Sequence, residues 1–94
     1  MGEKYRSYAA NMEYTADLKI NGKKFHASGS TAREALANLK LPPRTVSAAI
    51  LTVSRGKTSK DRVLSPRQVT RMINPSPLIR EVNLKSLSLL FDGV

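Results

Sequence analysis

The chain has 94 residues, 40% of them hydrophobic, with no cysteine, no tryptophan and a net charge of +9. That length gives one domain, burying roughly 60–68% of its unfolded surface, and excludes a second core. The lack of cysteine excludes disulfides, thiolate nucleophiles and cysteine-based metal sites, and no apolar run approaches the ~20 residues that a membrane helix needs.

Residues 1–12 have no regular apolar period and read as a flexible lead-in to a single domain over 13–94. No apolar stretch follows the charged start, so a secretory signal is not expected, and Arg6 stands where a myristoylation motif needs Ser or Thr. From Tyr14 the pattern sharpens. Tyr14, Ala16, Leu18 and Ile20 alternate with Thr15, Asp17 and Lys19, the period of a half-buried strand. Asn21-Gly22 supplies a type I′ hairpin turn, whose central residues both need positive φ, and the return strand runs from Lys23 to Gly29. The short turn sets the register: Leu18 faces Phe25 and Ala16 faces Ala27 on the core side, while Asp17 faces His26 and Lys19 faces Lys24 on the other.

Thr31-Ala32-Arg33-Glu34 has the spacing of a capping box with Thr31 as N-cap. Ala32, Ala35, Leu36 and Leu39 then form one apolar stripe, and Pro42-Pro43 ends the helix. At about eight residues this helix is marginal alone, so its stripe is expected to pack on the Leu18/Phe25 face. Val46 to Ser54 is β-rich, and Arg62-Val63-Leu64 is expected to return beside it across a long polar tip from Arg55 to Asp61. Ser65-Pro66-Arg67-Gln68 is a second capping box with Pro at N1. Val69, Met72 and Ile73 give its helix a short apolar stripe, with Arg67 and Arg71 one turn apart on another side, before Asn74-Pro75 stops it. Ser76-Pro77 opens a further helix to about Lys85, supported by a Glu81–Lys85 pair. Leu87-Ser88-Leu89 alternates like a strand, which leaves 84–91 open between helix and strand. The order β-β-α-β-β-α plus a C-terminal apolar element predicts an α+β fold: two antiparallel hairpins in a small sheet with short helices on one face.

The charge is local. Nine Lys/Arg residues and one acid, Asp61, lie between Lys40 and Arg80, so this stretch carries +8, while 1–39 carry +2 and 81–94 carry −1. Arg55, Lys57, Lys60 and Arg62 surround the second hairpin tip, Arg67 and Arg71 share a helix face, and Lys40, Arg44 and Arg80 flank the region. Long cationic side chains of this kind contact phosphates, and a projecting tip can follow a groove. The plain alternative is a solvated surface kept for solubility, which mixed-sign charge would serve better.

Other motifs point to little chemistry. Gly56-Lys57-Thr58 resembles the end of a phosphate-binding P-loop, but Leu51 replaces the required glycine and no helix follows directly. His26 and Asp17 have no nucleophile placed to complete a catalytic set, so they read as a cross-strand polar pair. The acids Glu3, Glu13, Asp17, Glu34, Asp61, Glu81 and Asp92 are scattered, and neither a paired-carboxylate site nor a metal or other cofactor is expected. Two local resemblances stand out. Gly29-Ser30-Thr31 followed by Ala32-Arg33-Glu34-Ala35-Leu36-Ala37 is similar to the last strand and helix of double-stranded-RNA-binding domains, though without their lysine pair and at the other end of the chain. Val69 to Val82 resembles a helix-turn-helix, with Leu78-Ile79 where base-reading side chains belong.

An enzyme is the least expected class. The expectation is a small, cytoplasmic, non-enzymatic protein that binds nucleic acid or a ribonucleoprotein through phosphate contacts with little sequence preference. The alternative is a protein-binding module that docks on an acidic surface, such as a virus- or mobile-element-encoded inhibitor of a nucleic-acid-handling machine. Leu84, Leu87, Leu89, Leu90 and Phe91 read first as a buried core element and second as the interface of a homo-oligomer.

Overall fold

In the computed structural model, which describes residues 13–45, 47–74 and 76–94, the first hairpin has the register its turn dictates. The lead-in expected over 1–12 lies outside the described residues, as do Val46, the expected start of the third strand, and Pro75. β1 (Tyr14–Ile20) and β2 (Lys23–Gly29) pair with Leu18 opposite Phe25, Ala16 opposite Ala27, Asp17 opposite His26 and Lys19 opposite Lys24. Asn21 (φ 50°) and Gly22 (φ 78°) both take the left-handed conformation that a type I′ turn requires.

β3 (Ala49–Arg55) adds to the free side of β1, and β4 (Thr58–Leu64) adds to β3, all antiparallel. Among the described residues the sheet has four strands in the order β2-β1-β3-β4. The inner strands supply the floor of the core, with Ala16, Leu18, Ile20, Ala49, Leu51 and Val53 buried on one face. Among the described residues three helices cover that face: α1 (Ala32–Ala37), α2 (Pro66–Met72) and α3 (Pro77–Leu89). Ala35, Leu36, Val69, Met72, Leu84 and Leu87 join the same core, closed by Phe91 beyond α3. The other face is open and holds the polar row His26, Asp17, Thr52 and Asp61. Among the described residues no helix is long and apolar enough to cross a membrane.

α1 sits tightly on β2. A Cβ on Gly29 would meet the Ala35 amide nitrogen at 2.7 Å and the Glu34 carbonyl carbon at 2.9 Å, so the helix approaches as closely as glycine allows. Thr31 caps α1 by accepting from the Glu34 amide at 3.0 Å, but the Glu34 carboxylate passes over Thr31 to the Ser30 amide (3.2 Å) and hydroxyl (3.0 Å). Ser30 offers two donors to the two carboxylate oxygens, and the reciprocal half of the expected capping box falls there. In α2 both halves form: Ser65 Oγ accepts from the Gln68 amide at 3.2 Å, and Gln68 Oε1 from the Ser65 amide at 2.8 Å.

Two further expectations are corrected, and the choice between helix and strand left open over 84–91 is resolved. The long tip across Arg55 to Asp61 is absent, because Gly56 (φ 61°) and Lys57 form a two-residue turn and β4 begins at Thr58. A glycine with positive φ leading the turn is the pattern of type II′. β4 is an edge strand in which only Leu64 is buried. Charged residues on an edge deter pairing with other chains, so polarity there marks an edge and not a loop. The alternation Leu87-Ser88-Leu89 is helical, with Leu84, Leu87 and Phe91 buried at three- and four-residue spacing. Glu81 pairs with Arg33 at 3.8 Å, tying α3 to α1, where a pair with Lys85 was expected.

Candidate nucleic-acid interface

The nine cations of the basic stretch fall into three groups. Arg55, Lys60 and Arg80 are half-buried and hold the fold together. The Arg55 guanidinium lies 5.1 Å from the Tyr14 ring centroid and donates to the Tyr14 hydroxyl at 3.2 Å, which in turn donates to the Val94 carbonyl at 3.1 Å. Lys60 Nζ donates to the Asp92 carbonyl at 3.1 Å. Arg80 donates to the Met72 carbonyl (3.1 Å) and the Ala37 carbonyl (2.9 Å), joining the ends of α2 and α1 to α3. All three bind neutral oxygens.

The second group is exposed along one side of the molecule. Lys57 stands at the β3–β4 turn and Arg62 lies on β4 opposite Leu51, so its side chain emerges on the helix side of the edge. Arg62 Nη1 donates to the Asp61 carbonyl at 2.9 Å. After Leu64 and Ser65 the chain enters α2, where Arg67 and Arg71 are exposed one turn apart. The third group, Lys40 and Arg44, lies in the loop after α1. Arg44 shares a hollow with Lys23 and Phe25 beside the β1–β2 turn, and Lys40 shares another with Met72 and Arg80.

Among the described residues no carboxylate neutralises these cations. Among the described residues the ion pairs are Asp17–His26 at 2.7 Å and Glu81–Arg33 at 3.8 Å, and neither uses a cation from 40–80. Asp61, the acid of that stretch, accepts instead from the Thr52 hydroxyl at 2.7 Å on the open face. The Asp17–His26 pair forms as the register requires, with its side chains more than half exposed (53% and 62%). Such a pair contributes at most ~1 kcal/mol.

α2 and α3 form a helix pair, but the exposed start of α3 presents Leu78, Ile79 and Val82. These side chains carry no donors or acceptors for base edges. One feature escaped the sequence reading: an apolar groove between α2 and α3, lined by Leu78, Ile79, Val82 and Leu90 beside Arg71. Its signal was present in the apolar residues on every side of 78–91, which exceed what one buried stripe needs. Comparison with known proteins found no matching family model, no similar curated protein and no similar solved structure.

Proposed function

We propose that the chain is a cytoplasmic, non-enzymatic basic protein that binds nucleic acid, or a ribonucleoprotein, through phosphate contacts from Lys57, Arg62, Arg67 and Arg71. The observation that carries this reading is the absence, among the described residues, of any carboxylate pairing with the cations of 40–80. Uncompensated charge of one sign opposes compactness and is relieved by an anionic partner. Exposed arginines and lysines on an edge strand and the helix after it suit a backbone, since phosphate contacts need charge and reach, not base-reading geometry. Recognition is therefore independent of sequence.

Fluorescence anisotropy with labelled duplex DNA, duplex RNA and single strands across a salt series tests this. Contact by these four cations gives a log–log salt slope of roughly −3.6 on duplex DNA. Replacing all four with alanine abolishes that slope while leaving the melting temperature in place, because all four are exposed. No binding at low salt, or a slope near zero, overturns the reading and turns the search to acidic protein surfaces.

A further inference from the structure

One side of α3 is in the core through Leu84 and Leu87. The opposite side exposes Leu78 (74%), Ile79 (49%), Val82 (60%) and Leu89 (65%). A helix apolar on both sides belongs in an interior. A groove of about 750 Å³ runs along it against α2, walled by Leu78, Ile79, Val82 and Leu90 on α3 and its following turn, and by Gln68 and Arg71 on α2. Among the described residues no acid lines it. Asn83 also lines the groove at 9% exposure, and its Nδ2 is buried with no hydrogen-bond partner.

We propose that this groove docks an amphipathic helix of an acidic protein partner. The helix lays an i, i+3/i+4, i+7 apolar stripe against Leu78, Val82 and Leu90. Its flanking carboxylates face Arg71 on the α2 wall and Arg67 one turn further along α2. Charge selects this occupant over two others, a second copy and nucleic acid. A second copy brings a second +9 chain and a second Arg67/Arg71 pair against the first. Nucleic acid satisfies the arginines but leaves the leucine and valine side chains uncovered. This goes beyond the phosphate-binding reading and shares only Arg67 and Arg71 with it.

The probe is a designed 16-residue helical peptide with a leucine stripe flanked by glutamates, together with a twin in which the glutamates are lysines. Each is titrated into the isotope-labelled full chain and followed by NMR. The acidic peptide is expected to shift the amides of Leu78, Val82, Asn83 and Ser86 and to bind at least tenfold more tightly than its twin. Leu78→Ser/Val82→Ser weakens it at least tenfold without changing melting temperature or duplex DNA binding, so this proposal and the phosphate reading fail separately. Arg67→Glu/Arg71→Glu reverses the preference between the peptides. Four outcomes overturn the proposal: no shifts at these amides, equal binding of the two peptides, concentration-dependent shifts without peptide, or the same shifts produced by duplex DNA alone.

Discussion

β1 and β2 share the burden of the first hairpin, with apolar residues facing the core from both strands across the Asn21-Gly22 turn. β3 and β4 close through a turn just as short, but burial is concentrated on β3: Ala49, Leu51 and Val53 are in the core, while β4 contributes Leu64 alone. Lys60 and Arg62 occupy the β4 positions opposite Val53 and Leu51. The difference teaches where a small fold can carry concentrated charge. Beyond its backbone ladder to β3, the Leu64 anchor and the Lys60 contact to the Asp92 carbonyl, β4 leaves its other positions to solvent or a partner. Arg62 lies on the strand with the least structural duty, Lys57 at the turn before it, and Arg67 and Arg71 on the helix that follows.

The contrast breaks most sharply at the Leu51–Arg62 pair. Leu51→Ala removes a fully buried side chain from the inner strand and is expected to lower unfolding free energy by ~2–5 kcal/mol in urea titrations. Arg62→Ala, on the residue directly opposite, is expected to change it by less than ~0.5 kcal/mol. Similar losses from the two would mean that β4 carries structural weight after all. Gly29→Ala tests the other edge, where α1 presses on β2. Both nearest atoms are backbone, so the added methyl is expected to cost about 1–3 kcal/mol through displacement of α1, read from the same titration and from lost protection of the α1 amides. A neutral result would show that the helix can lift away freely. Asp17→Asn is expected to cost little, below ~1 kcal/mol, because the exposed pair with His26 is one polar contact on the solvent face. A larger loss would give the open face a part in stability that its exposure does not suggest.

The first hairpin was legible residue by residue because alternation and turn chemistry agreed on one register. The second was obscured at β4, where edge polarity imitates a loop. α2 was readable from Ser65, Pro66 and Gln68, which specify a helix start by local hydrogen bonding alone. The roles of the cations were not readable. Arg55 and Lys57 are two residues apart and look equivalent in sequence, yet Arg55 stacks on Tyr14 and Lys57 stands free at the turn. Telling them apart requires the β1–β3 register, which sets Tyr14 against Arg55, 41 residues away. The groove stayed hidden for a related reason. In a segment apolar on both sides, periodicity identifies no face, and only the packing of α3 separates Leu84 and Leu87 from Leu78 and Val82.

The strand order has a kinetic consequence. Each hairpin closes over two residues, an event of roughly 1–10 μs for such structures. β1 and β3 meet only after the chain has passed through β2, α1 and the loop that follows, and loop-closure entropy must be overcome before Leu18, Leu51 and Val53 pack together. The seam between the hairpins is therefore the slow contact of assembly, and the two halves of the sheet behave as preformed pieces waiting for one another.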